Sequence, residues 1–450
     1  MALLVVAPAL LKFQPPTLVG PGSGYASNFV SVSPSLFVGD SEYIYMTTDT
    51  GQTWRRTDGS NGTSKMHGVV GSAFFADPVR PGFYRNLGWP LEGEANCKAP
   101  CHSAHGVNDS WYSCYTCFST PAYASFSQNA VTGELEVLVV NEPTRFTGLP
   151  NPVSLRGDTP ASSTDEHDFG RDGGGATTLS DRTVVLTLDV RWSHDRGTIA
   201  DAARAEDLTL ATNVIAMRSN DGAKTFSYTA SLCDASKHRG CGECCNENDV
   251  VTLGDGKAVM SVWRMGAGDG LIWNKSLGVN GSYHFYNHAV SSDGGETWSP
   301  EAPLHEMGCA KPELLRVSGT NTYANKDQPV ILGGGRLRNL DTSDILLWES
   351  SDGKGENWQE YSVSYWHNRL ATDNTSRFTK QMNSTKEPRQ SSSYVSLLDA
   401  GPGEFVVVYD QRKTPVLSLG EEGRGKGSGE AFGEPDSVFA MRVTVDASKA

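Results

Sequence analysis

The stretch "SSDGGETW" at residues 291–298 recurs in near copies: "TTDTGQTW" from Thr47, "SNDGAKTF" from Ser219, and "SSDGKGENW" from Ser350, the last with one extra residue. No other feature narrows the folds open to this chain so far. In each copy a Ser or Thr and an Asp precede small or turn-forming residues, and an aromatic closes the run. Asp and Ser side chains hydrogen-bond turn backbone, Gly accepts positive φ, and the closing aromatic returns the chain to a packed interface. Just upstream stand short alternating or apolar runs, "EYIYM", "NVIAM", "YNHAV" and "ILLWE", which read as strands. Each copy is therefore the turn between two strands of one sheet.

This motif resembles the Asp-box (BNR) repeat of the sialidase superfamily, also found in xyloglucanase-like and sortilin-like propellers. The resemblance implies an all-β chain, a six-bladed β-propeller of four-stranded antiparallel sheets, and implies nothing about a reaction, because every box residue serves a turn. Box starts at 47, 219, 291 and 350 leave room in the first gap for a blade without a box. A last blade follows in "SSYVSLLDAGPGEFVVVYD" and "DSVFAMRVTV". Residues 2–13 are expected to supply the strand that closes the ring, since closure removes exposed sheet edges; the alternative reading of "ALLVVAPALL" is a short secretory segment. With no linker or composition break, residues 1–450 read as one propeller, and 85–120 and 365–392 as long loops leaving the ring.

Composition bounds the partners. A net charge of -14 argues against a nucleic-acid-binding surface, yet leaves room for a local basic pocket that takes an anionic ligand. No apolar stretch approaches the ~20 residues needed to span a bilayer. Six N-x-S/T acceptors, at Asn61, Asn108, Asn274, Asn280, Asn374 and Asn383, fit a secreted glycoprotein. Most of the nine cysteines fall into two clusters, Cys97 to Cys117 and Cys233 to Cys245, with Cys309 alone. Disulfides stapling long loops are the expected use. The alternative for the first cluster is zinc held by Cys97, Cys101, Cys114 and Cys117 beside His102 and His105. No cofactor and no catalytic metal are expected.

Chemistry concentrates in the second half. "NENDVVTLGDGKAVMSVWRMG" sets Glu247 at the start of one predicted inner strand and Arg264 at the end of the next. A similar stretch in sialidases carries the glutamate that activates the nucleophile and the second of three arginines that grip the substrate carboxylate. "GGGRLRNLDTSDILLWESSDG" resembles the third-arginine stretch, which implies Arg338, with Arg336 on the same strand face as the alternative. "SSYVSLLDAGPGEFVVVYD" resembles the segment in which a tyrosine opens the innermost strand of the last blade, which implies Tyr394 as nucleophile. The physical logic is that a sugar bearing a carboxylate on its anomeric carbon repels a carboxylate nucleophile, whereas a neutral phenol does not. A phenol of pKa ~10 needs a base in hydrogen-bond reach, and guanidinium forks clamp a carboxylate bidentately.

The first blade departs from that pattern. "GYASNFVSVSPSLFVGDSEYIYM" has no arginine and offers only Asp40 as an aspartate. The stretch "FGRDGGGATTLSDRTVVLTLDVRWSHDRG", running on to "AEDLTLATNVIAMRSNDG", mimics it but counts as blade three, adjacent to the Glu247/Arg264 blade, where the family order sets two blades between them. It proposes Arg171 as the first arginine and Asp207 as acid/base, with Asp195 as rival. The expected function is an exo-glycosidase removing a terminal acidic sugar, sialic acid or a related nonulosonate, from sialylated or other acidic glycans. Two alternatives stand beside it: a weakened propeller that binds acidic glycans without cleaving them, and a polysaccharide hydrolase or lyase of another substrate class.

Overall fold

The computed structural model describes residues 11–22, 28–41, 43–57, 73–88, 96–97, 117–118, 122–150, 169–190, 213–234, 237–238, 245–254, 256–265, 273–274, 279–280, 285–308, 310–318, 328–335, 344–378, 391–411 and 436–445. Six antiparallel sheets follow one another along the chain, each begun by its innermost strand: Phe29–Ser31, Ala73–Ala76, Phe169–Thr178, Cys245–Thr252, Glu313–Arg316 and Val395–Asp399. From blade two round to blade one, the inner strands of successive blades lie beside each other, which makes the six-bladed propeller. Blade two, Ala73–Ala76 to Leu135–Pro143, fills the first gap between boxes without one of its own, and blade six also lacks a box. Blade three gains a fifth strand, Arg145–Thr147, parallel to its outer Thr225–Cys233 strand.

The ring is closed from the N-terminal side. Leu11–Phe13 pairs antiparallel with the C-terminal half of the Asp436–Val445 strand, and Thr17–Gly22 pairs with its other half. Blade six therefore has three strands from the end of the chain and an outer edge from the beginning. Sequence placed the closing segment at residues 2–13; residues 2–10 lie outside the described residues, and closure extends on through Thr17–Gly22, whose Gly and Pro hid its strand character. Leu11 is 1% exposed and joins Phe405, Val407 and Met441 of blade six and Ile331 and Leu347 of blade five in one apolar wedge. Each such buried side chain contributes ~1.5–3 kcal/mol, so closure is held by packing as well as by the ladder.

All four boxes join the third and fourth strands of their blades. In the box of blade four, Ser291 Oγ donates to Asp293 Oδ1 at 2.7 Å and accepts from Gly295 N at 2.8 Å. Asp293 in turn takes the Thr297 N–H at 2.9 Å and the Thr297 hydroxyl at 2.5 Å. Slight burial pushes the Asp293 carboxyl up, but the Thr297, Ser291 and Glu296 donors outweigh it and bring it down to about 2. The closing aromatic reaches the wedge shared with the preceding blade: Trp54 between blades one and six, Phe226 between three and two, Trp298 between four and three, and Trp358 between five and four. A box thus fixes a turn within one blade and a contact with the blade before it.

Two of the expected loops hold structure. Residues 85–88 belong to the Phe83–Gly88 strand of blade two, so the excursion begins later than residue 85. Within it, Asn96–Cys97 pairs with Cys117–Phe118. The 365–392 segment opens inside a helix, Val363–Leu370, capped by Ser362, whose side chain accepts from Tyr365 N. The helix buries Val363 and His367 against the blade-five and blade-six core, an all-round short pattern that alternation rules pass over.

Gly295 combines φ +86° with a would-be Cβ only 3.0 Å from a Val185 methyl of blade three. Gly295→Ala is therefore expected to cost roughly 2 kcal/mol or more, read as a lower midpoint in chemical denaturation, from left-handed strain plus overpacking.

Candidate active site

Glu247 is the third residue of the inner strand of blade four, and Arg264 the sixth residue of the neighbouring Val259–Met265 strand. Tyr394 stands directly before the inner strand of blade six. Although 147 residues separate them, Tyr394 Oη donates to Glu247 Oε1 at 2.5 Å. Arg264 Nη1 donates to Glu247 Oε2 at 2.8 Å and to Tyr394 Oη at 3.2 Å. The three side chains are buried, with Glu247 and Arg264 5% and Tyr394 7% exposed. At that burial an unpaired carboxylate or guanidinium would be costly, and the pairing is what permits both.

The arrangement does two things chemically. A carboxylate oxygen is in place to receive the phenol proton, and a guanidinium N–H already points at the oxygen on which negative charge would then appear. The fold of blade six holds the phenol there. Three serines precede Tyr394, and Ser393 has φ +62°, a left-handed conformation that a non-glycine residue adopts only when its surroundings enforce it. The enforcing group is Asp410, 0% exposed on the adjacent strand. Its carboxylate accepts from Ser391 Oγ at 3.0 Å, Ser392 N at 2.8 Å and Ser392 Oγ at 2.6 Å. Ser392 Oγ then accepts from Tyr394 N at 3.1 Å, and Ser393 Oγ donates to the Asp344 carbonyl of blade five at 3.1 Å.

The sequence reading missed Asp410 and the serines. The legible signal was "SSSY" ahead of a strand ending in "VVVYD", an Asp that strand pairing brings back beside the turn. Also missed was a cluster one step along the same inner strands. Asp249, two residues after Glu247, accepts from Leu314 N of blade five at 2.6 Å and from Val250 N at 2.8 Å. Lys311 and Glu313 stand beside it, Lys311 Nζ 3.9 Å from Glu313. Burial pushes Asp249 up to about 6 against the pull of its backbone donors and Lys311. Burial also raises Glu313; Lys311 opposes that rise and Asp249 adds to it.

Of the other predicted site residues, Asp207, Arg336, Arg338 and Asp195 lie outside the described residues. Arg171 is in the inner strand of blade three, the blade that motif order gave it, with its side chain outside the described part. Asp40 falls in the second strand of blade one, Phe37–Ser41, opposite Ile44. The described residues thus bring together Tyr394, Glu247 and Arg264, from blades six and four.

The fold is a six-bladed β-propeller with Asp-box turns. No family model matches the chain, and no curated protein matches it in sequence. Among solved structures it is similar to a protein of unknown function from Dyadobacter fermentans, at 12% identity and TM-score 0.49 over 97% of this chain and 98% of that one. An α-L-arabinofuranosidase from Fusarium graminearum matches at 11% identity and TM-score 0.46, covering 97% and 99%. The intramolecular trans-sialidase from Ruminococcus gnavus matches at 13% identity and TM-score 0.42, covering 98% and 96%. Identities of this size carry no residue role and no activity from one propeller to another.

Two outcomes follow from the buried groups. Asp410→Ala strands an N–H and two hydroxyls, and is expected to cost at least ~2 kcal/mol in denaturant unfolding while displacing Tyr394. Asp249 and Glu313 have folded pKa values raised above their unfolded ones, so their contribution to stability is full below about pH 4 and lost as pH rises through the folded values. Glu313→Gln should therefore flatten the fall in urea midpoint between pH 5 and pH 8.

Proposed function

We propose that this chain is a secreted retaining exo-glycosidase that removes a terminal acidic sugar, sialic acid or a related nonulosonate, from glycans. The observation that carries the reading is the 2.5 Å hydrogen bond from Tyr394 Oη to Glu247 Oε1, with Arg264 bonded to both. A structural tyrosine needs only a cap for its hydroxyl; this one faces a buried base and a buried cation together. In the reaction, Glu247 accepts the phenol proton while Oη bonds to the anomeric carbon and the bond to the leaving oxygen breaks. Arg264 balances the charge that grows on Oη before the bond is complete. The leaving oxygen takes its proton from an acid, the role proposed for Asp207. Water activated by the conjugate base then attacks the anomeric carbon, and the tyrosyl oxygen departs and recovers its proton from Glu247, which restores the anomeric configuration by two inversions.

The substrate class follows from the choice of nucleophile. A carboxylate at the anomeric carbon disfavours attack by an ionised Asp or Glu and leaves a phenol acceptable. Arg264 Nη1 donates to both Glu247 and Tyr394, and further guanidinium groups are proposed to complete the grip on the substrate carboxylate. Arg336 or Arg338, in the sequence between Val330–Gly334 and Leu346–Ser350, and Arg171 of the blade-three inner strand are proposed for that grip. The sequons of the chain support the secretory placement.

A fluorogenic α-sialoside assay on wild type, Tyr394→Phe and Glu247→Gln tests the proposal. Wild type should turn over, Tyr394→Phe should lose kcat by at least ~100-fold, and Glu247→Gln should fall comparably, the scale of a lost base. Sialoside binding without turnover in wild type would indicate a glycan-binding propeller instead, and full activity in Tyr394→Phe would remove the phenol from the reaction.

A further inference from the structure

The connection from blade three to blade four carries a second set of chemically capable groups. Cys233 ends the outer strand of blade three, and Cys245 begins the inner strand of blade four, two residues ahead of Glu247. They are joined as a disulfide with Cα atoms 5.8 Å apart. His238, from the connection between them, belongs to the same cluster: the ligating atoms of Cys233, His238 and Cys245 all lie within 4.8 Å of one another. Among the described residues no other group of three or more Cys, His, Asp or Glu side chains gathers so. Both cysteines are essentially buried, at 1% and 0% exposure.

A histidine is not needed for a disulfide, and the environment of this one is that of a ligand. His238 Nε2 is 2.7 Å from Glu301 Oε1 on blade four, the carboxylate contact that fixes the tautomer of a metal-bound imidazole and makes its other nitrogen a stronger donor. Two thiolates and a neutral imidazole are the soft and borderline donors that zinc prefers, and tetrahedral Zn–S and Zn–N bonds of about 2.3 and 2.0 Å set donors roughly 3.5 Å apart. Parting the two sulfurs on reduction brings the cluster to that spacing by side-chain rotation. Cys233 and Cys245 hold the blade junction from either side, so an ion bridging them does mechanically what the disulfide does.

We propose that Cys233, Cys245 and His238 form a zinc site in the reduced chain, zinc replacing the disulfide as the clamp at the entrance to the strand that carries Glu247. A dithiol reductant supplies the two electrons and two protons that convert the disulfide to two thiols and is itself oxidised to a disulfide. Zn²⁺ binding then displaces the two thiol protons, leaving both sulfurs as thiolates; a water molecule takes the fourth position. The site stands independently of the reaction proposed above.

The test uses the full chain, oxidised or reduced under inert gas, loaded with Zn²⁺, freed of unbound ion and assayed for metal content. Co²⁺ loading in parallel reads thiolate ligation through its sulfur-to-metal charge-transfer absorption. Reduced wild type should retain about one zinc per chain more than the oxidised form, with the thiolate band present. His238→Ala keeps the disulfide, so it folds before reduction, and it should bind zinc at least ~10-fold more weakly once reduced. The double variant Cys233→Ser, Cys245→Ser should lose that zinc and its share of the band. Equal zinc in oxidised and reduced wild type overturns the proposal. Undiminished binding by His238→Ala or by the double variant does so too, because it places the ion on the Cys97 to Cys117 cluster or elsewhere.

Discussion

Everything in this propeller depends on the antiparallel pairing of its first described strands with its last. The Asp436–Val445 strand would otherwise present a row of unpaired N–H and C=O groups along an outer edge, and the blade-six wedge would lack Leu11. Open edges of that kind pair with other chains or fray. Closure fixes blade six against both neighbours, through Val406 and Val408 toward blade one and Val407 and Met441 toward blade five. Blade six, which carries Tyr394, is thereby held on both flanks.

That rigidity is what a site split between blades four and six requires. Tyr394 and Glu247 meet at 2.5 Å with blade five between them in the chain, so any widening of the ring would part them. The local fold adds a second constraint at each partner. Asp410 locks the serine turn that aims the phenol, and the Cys233–Cys245 staple holds the first residue of the strand that bears Glu247. Arg264, on the adjacent strand of the same sheet, arrives beside Glu247 at a break in the ladder, where Asn246 and Glu247 face it between the Cys245–Met265 and Asn248–Trp263 pairs. Buried charges are tolerated because each is met by another; removing one member would leave the rest uncompensated in a low dielectric.

Legibility followed the range of the interaction. The Asp boxes could be read from the chain because their hydrogen bonds span at most five residues, as from Ser291 to Gly295 and from Ser350 to Gly355. Blade count and the strands upstream of the boxes followed from them. Glu247, Arg264 and Tyr394 were picked out through family-like stretches, and their meeting is a property of the ring. The Val363–Leu370 helix escaped because its eight residues offer too short a period to outweigh the strands around it. Asp410 and the Asp249, Lys311 and Glu313 group escaped for another reason: each reads locally as an ordinary polar residue of a strand or turn. Only pairing with a neighbouring strand or blade gives them partners.

The sequence by itself determined the module and its repetition, because a turn whose Ser, Asp and Gly satisfy one another's hydrogen bonds is specified within eight or nine residues. It also determined the chemical inventory from which a site could be built. The tertiary structure alone decided which members of that inventory share one buried volume, since a hydrogen bond across 147 residues exists only after six sheets have packed and the first strand has joined the last.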